Sequence, residues 1–166
     1  IEGSSPTIRN CIITGNDAKR FGGGIFVDLG TLILDSVTVK GNVSSSTGGG
    51  VYMRSSDGTI LSSSFENNSG LNGGGMYIKD STSEMLFSGV TFSGNSATSN
   101  GGALYNKSSS MTVQDCTFDS NSANKGGAWF SYASGDASIT TTSFLDNTAI
   151  DSGGAANIRS NSTVTF

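Results

Sequence analysis

Six asparagines recur along this chain at almost constant spacing. They are Asn16, Asn42, Asn68, Asn95, Asn121 and Asn147, so the period is 26 or 27 residues. Each closes a tetrapeptide that opens on an apolar residue. Clear copies are Val39-Lys40-Gly41-Asn42, Phe65-Glu66-Asn67-Asn68, Phe92-Ser93-Gly94-Asn95, Phe118-Asp119-Ser120-Asn121 and Phe144-Leu145-Asp146-Asn147, with Ile13-Thr14-Gly15-Asn16 as a degenerate one. A small-residue triplet follows each Asn in phase: Gly22-Gly23-Gly24, Gly48-Gly49-Gly50, Gly73-Gly74-Gly75, Gly101-Gly102-Ala103, Gly126-Gly127-Ala128 and Gly153-Gly154-Ala155. Two motifs locked together over six copies mark a stack of one repeated unit.

The residues between the motifs say what the unit is. Counting back from the motif's apolar residue, the fifth position holds Ile8, Leu34, Ile60, Phe87, Val113 and Ile139. The second holds Cys11, Val37, Ser63, Val90, Cys116 and Thr142, after a pair of mostly small polar residues typical of turns. After the glycines, Ile25-Phe26-Val27, Val51-Tyr52-Met53 and Met76-Tyr77-Ile78 alternate with period two. Three short strands and three turns in about 26 residues describe one coil of a parallel β-helix. Left-handed versions keep a shorter, six-residue rhythm. The expected fold is therefore all-β, a right-handed parallel β-helix of about six coils with three short strands per coil.

Residues 1–166 read as one such segment. The expectation is an excerpt of a longer solenoid or a subunit that stacks end to end, because neither end carries a cap over its strand edges.

Stacking gives the repeated residues their roles. An Asn in a tight turn offers an amide donor and acceptor at every coil, so Asn16, Asn42, Asn68, Asn95, Asn121 and Asn147 are expected to form a structural ladder along the axis. The glycines suit positive φ or close approach of neighbouring coils. Cys11 and Cys116 occupy equivalent slots four coils apart, about 19 Å at strand spacing, too far for a disulfide. Both are expected to be buried thiols.

Composition excludes several classes. Only 13% of residues are charged and the net charge is −4, with nine Lys and Arg scattered and no basic run. Nucleic acid is thus not an expected partner. No stretch of about 18 apolar residues offers a membrane span. Strict phase over six copies argues against disorder despite an apolar content of 34%.

If Ile25 and Val27 face inward, their neighbours face out. One outward row is Phe26, Tyr52, Tyr77, Tyr105 and Phe130, and the next is Asp28, Arg54, Lys79, Lys107, Tyr132 and Arg159. The repeated pairs Tyr52 with Arg54, Tyr77 with Lys79 and Tyr105 with Lys107 form a candidate binding or assembly face. Rings stack on sugars and cations meet acidic groups, so a glycan or a cell-surface protein fits. The like charges about 5 Å apart in that row call for compensation. A Ser/Thr row (Thr38, Ser64, Thr91, Thr117, Ser143) lies on another outward face. Candidate N-glycosylation sequons begin at Asn42, Asn67, Asn106 and Asn161, with Asn67 and Asn161 better placed than the other two.

Phe-x-x-Asn alternating with Gly-Gly-Ala, seen best in Phe92–Asn95 with Gly101-Gly102-Ala103 and in Phe118–Asn121 with Gly126-Gly127-Ala128, resembles the repeats of chlamydial polymorphic outer-membrane proteins. The resemblance covers nearly the whole chain. It departs from the pattern where Gly24, Gly50 and Gly75 stand for Ala and where Ile13 and Val39 stand for Phe. In that family the repeats form the exported, adhesive passenger of an autotransporter, which implies surface display here.

Catalysis is not expected. The same fold hosts polysaccharide-cleaving enzymes, but those build clefts from long loops and clustered acids. Here coil length barely varies and histidine is absent. Asp119, Asp146 and Glu66 lie near one turn, too few oxygens for Ca²⁺. No catalytic residue, metal or cofactor is assigned. The sequence reads as a non-catalytic, extracellular or cell-surface structural or adhesive solenoid. Its partners would be itself, the rest of a longer chain, glycans or a cell-surface protein. The alternative is a carbohydrate-binding or carbohydrate-active β-helix.

Overall fold

The computed structural model describes residues 1–133, 135–159 and 163–165. Among these, 25 short strands pair into four parallel sheets and no helix occurs. No helix is therefore long and apolar enough to cross a membrane. The coil around Phe92 shows the plan. Met85–Ser88, Thr91–Ser93, Ser96–Asn100 and Leu104–Lys107 follow one another and enter the first, second, third and fourth sheets. Each then pairs one coil on: Met85 with Met111, Phe92 with Phe118, Ser96 with Ser122, Leu104 with Trp129.

Four strands per coil replace the three expected. The additional strand follows the Asn, as in Ser69–Asn72, Ser96–Asn100 and Ser122–Lys125. Its inward residues are small (Ser44, Gly70, Ala97, Ala123), because the Asn column already fills that part of the interior. Without large apolar residues the segment shows no alternation, so its sequence resembles a polar loop.

Every coil turns at four corners, and at each corner one residue takes positive φ. Three columns accept varied residues, such as Ser36, Ser62 and Asp115, then Asn67, Ser120 and Asp146, then Leu29, Ser55 and Asp80. The fourth holds only glycine: Gly22, Gly48, Gly73, Gly101, Gly126 and Gly153. Space separates the two cases. A Cβ at Gly101 would stand 2.4 Å from the Leu104 carbonyl oxygen, whereas a Cβ at Gly41 meets nothing within 4 Å. The next glycine of the pair serves contact between coils, since a Cβ at Gly102 would stand 2.1 Å from the Gly127 carbonyl oxygen.

The interior is a set of columns. Leu34, Ile60, Phe87 and Val113 stack within the first sheet, and Val27, Met53 and Ile78 within the fourth; all are fully buried. In the second sheet Phe65, Phe92, Phe118 and Phe144 stack face to face, with centroids 4.7, 4.9 and 4.8 Å apart.

Beside this runs the asparagine column. The backbone N–H of each Asn from Asn16 to Asn121 donates to the Oδ1 of the next at 3.0 Å. Its Nδ2 donates to the same Oδ1 at 2.8–3.1 Å. From Asn42 onward, Nδ2 also donates back to the carbonyl of the apolar motif residue one coil earlier, as Asn95 does to Phe65 at 2.8 Å. Asn42, Asn68, Asn95 and Asn121 are fully buried. Each Oδ1 in the middle of the column thus takes two donors and each amide gives two, which satisfies polar groups that would be costly to bury alone.

The two cysteines, both expected to be buried, part company: Cys116 is buried at 2% exposure and Cys11 is exposed. Both thiols are free and both donate to a carbonyl two residues earlier, Arg9 for Cys11 and Gln114 for Cys116. Ser63 and Thr142 make the same bond with hydroxyls, while Val37 and Val90 fill the slot without a donor.

Candidate functional site

The outer face of the fourth sheet gathers the repeated Tyr-cation pairs. Strands Ile25–Asp28, Val51–Arg54, Met76–Lys79, Leu104–Lys107 and Trp129–Tyr132 run in register, so Phe26, Tyr52, Tyr77, Tyr105 and Phe130 form one outward column. Consecutive centroids lie 5.5, 5.2, 4.7 and 5.1 Å apart, with ring planes within 20° of parallel. The rings cover one another's faces. A sugar therefore cannot stack on them, contrary to the way this row was expected to recognise a glycan. Tyr52 and Phe130 are buried at 5% exposure, so what the column offers to solvent is the half-buried edge of Tyr77 and Tyr105.

Packing shows in the acidity of these phenols. Burial holds Tyr77 well above the ordinary tyrosine value, and the neighbouring Tyr105 and Tyr52 add to it. Burial raises Tyr105 as well. It also raises Tyr52, against the pull of the nearby Arg54.

The second outward column was expected to stack cations on cations. Arg54, Lys79 and Lys107 do stand in register, and part of the compensation comes from within the chain. Arg54 is joined to Asp28 of the coil before it through both nitrogen–oxygen contacts, Nε to Oδ1 at 3.0 Å and Nη2 to Oδ2. The guanidinium hydrogen bond holds the Asp28 carboxyl below the usual carboxylate range. Lys79 lies 3.5 Å from the Asp80 carboxylate. Lys107 has no ion pair among the described residues. Similar pairs bridge neighbouring coils elsewhere, Arg9 with Asp35 at 3.1 Å and Lys40 with Glu66 at 3.4 Å, and tie successive turns together.

A third column flanks the rings and was missed in the sequence. Phe21, Thr47, Asn72, Asn100 and Lys125 stand in register immediately before the glycine corner. Phe21 stacks on Tyr52 at 4.8 Å, and Asn100 Nδ2 donates to Asn72 Oδ1 at 2.8 Å. Lys125 pairs with Asp151 one coil on, at 3.4 Å. The signal was their constant position before the first glycine, hidden because only Asn72 and Asn100 of the five share a side chain.

The other candidate residues scatter. Asn42 and Asn106 are fully buried, which removes both as glycan acceptors in the folded protein. Asn106 points inward and donates to the Ser109 carbonyl at 2.8 Å. Asn67 is exposed on a positive-φ corner. Asn161 lies outside the described residues. The hydroxyls of Thr38, Ser64, Thr91, Thr117 and Ser143 stand in register on the outside of the second sheet, interrupted at one end by Ile12, which is 73% exposed. Asp119 accepts from Ser120, and Glu66 is held by Lys40 and Ser64. Among the described residues no three His, Cys, Asp or Glu side chains converge as metal ligands would.

A family model for the right-handed β-helix region matches residues 1–106 and, in a second overlapping match, 34–166. No curated protein and no solved structure matches the chain.

Proposed function

This chain belongs to the right-handed β-helix family, and on that premise we propose that it is a non-catalytic structural and adhesive segment displayed outside the cell. One observation carries the reading: every coil turns at four corners set by one positive-φ residue each, at equivalent places, and the link from Lys79 to Met85 is only five residues long. Among the described residues, links this short project no long loop to wall a cleft or shut water out, which enzyme sites on such scaffolds require. It does present long, regular ranks of side chains at strand spacing, suited to binding along a surface rather than around a substrate. A surface rich in Ser, Thr, Asn and Gly, with only 13% charged residues and two free cysteines, fits an exposed scaffold held together by stacking.

Two assays test this. Incubation with polygalacturonate or alginate and Ca²⁺ is expected to release neither unsaturated nor reducing ends; steady release would replace the reading with a carbohydrate-active one. Display of the chain on a non-adherent bacterium is expected to confer attachment to cells or matrix. Display without any gain in attachment contradicts the adhesive part.

A further inference from the structure

The fold sorts charge in a way the net value hides. The first and second sheets with their adjoining corners carry eight of the 13 acidic residues, among them Asp57, Glu84, Asp119 and Asp136, but only Arg9 and Lys40 of the nine basic ones. That half of the coil has a net charge of −6. The third and fourth sheets with their corners carry seven basic and five acidic residues, for a net of +2, and the two halves together restore the overall −4. Spread along the sequence, the cations form no run; wound into coils, most of them reach one side.

On that side the cations rim the tyrosine column. Arg54, Lys79 and Lys107 stand in register along one edge. Lys125 stands along the other, in the rank that contains Asn72 and Asn100. Between the edges stands the ring column, in which Tyr77 and Tyr105 are half-buried and Tyr52 is buried, and the coils repeat at about 4.8 Å. Charge at the rim and neutral donors and acceptors between match a chain with regularly spaced anionic groups and many hydroxyls.

Resting on the surface-display reading above, we propose that this strip binds a linear anionic polysaccharide lying along the axis of the solenoid. Lys107 and Lys79 face its sulfate or carboxylate groups, and the tyrosine hydroxyls and the Asn72–Asn100 amides meet its hydroxyls. The strip acts at short range. The acidic half does not repel the ligand at moderate salt, where fields decay over about 10 Å.

The test is binding of the whole chain to dextran sulfate, to polygalacturonate and to neutral dextran, with single-stranded DNA as a non-saccharide polyanion. The two acidic saccharides are expected to bind, with affinity falling steeply as salt rises, and neutral dextran is not. K79S/K107S is expected to lose about tenfold or more in affinity, and Lys40→Ser on the opposite half to stay within about twofold. Tyr77→Phe with Tyr105→Phe is expected to lose about threefold at unchanged charge. Asp80→Asn, which frees Lys79, is expected to tighten binding. Equal losses from Lys40→Ser, no response to Asp80→Asn, or DNA binding as strong as that of the saccharides would overturn the proposal. If the K79S/K107S chain loses saccharide binding while displayed cells still attach, the strip binds saccharide but attachment uses another face. If no acidic saccharide binds while attachment persists, the strip fails and the adhesive reading stands.

Discussion

Two columns of stacked rings run along this solenoid, one inside and one outside. Phe65, Phe92, Phe118 and Phe144 stack within the second sheet at 4.7–4.9 Å, and Phe26, Tyr52, Tyr77, Tyr105 and Phe130 stack on the fourth at 4.7–5.5 Å. The stacking geometry is nearly the same. The surroundings differ. Phe65, Phe92 and Phe118 are fully buried beside a hydrogen-bonded column that fixes their register, whereas in the outer column Tyr52 and Phe130 are buried and Phe26, Tyr77 and Tyr105 are only half-buried. Ring stacking is thus a consequence of coil register, and what sets register is the buried asparagines.

That contrast orders the expected effects. Asn95→Leu is the most damaging change, because it strips the acceptor from the Asn68 N–H and amide and the donor from the Phe65 carbonyl. Two or three buried groups left without partners cost about 5 kcal/mol, seen as a collapse of the denaturant midpoint. Phe92→Ala opens a cavity between two stacked rings and costs about 4 kcal/mol by the same measurement. Tyr77→Ala removes two ring contacts on the outside and costs about 2 kcal/mol. An outer substitution that proves as costly as the inner one would erase the distinction between the columns.

A smaller effect concerns pH. The native fold holds Tyr52, Tyr77 and Tyr105 above the ordinary value of 10.0, so it favours their protonated forms. Their contribution is complete at neutral pH. It is lost as pH rises beyond 10, where the unfolded chain ionises first. Denaturant midpoints are expected to fall between pH 9 and pH 11, and the fall to shrink in Tyr77→Phe. Absorbance at 295 nm is expected to show these phenols titrating late.

The repeat, the inward strands and the outward Tyr row were legible because each depends on one residue type recurring at one place. The corners were not. Asn67, Ser120 and Asp146 share a positive φ but no chemistry, since no backbone atom crowds a Cβ in that column: at Gly41 it would meet nothing within 4 Å and at Gly94 only the Asn67 side chain. Only the corner at Gly101, pressed against the Leu104 carbonyl, leaves a mark in the sequence. The third-sheet strand was silent for the opposite reason: its inward slots are too shallow for large residues. Pairing of Arg54 with Asp28 needed the register itself, because the two lie 26 residues apart.

Native-state hydrogen exchange at the asparagine backbone amides tests the central claim most directly. With the column formed, the N–H groups of Asn42, Asn68, Asn95 and Asn121 exchange only on global unfolding, among the slowest in the chain, although none of these residues lies within a strand. Exchange at those four positions as fast as in an unstructured turn would mean that the asparagines do not stack, and the account would be wrong.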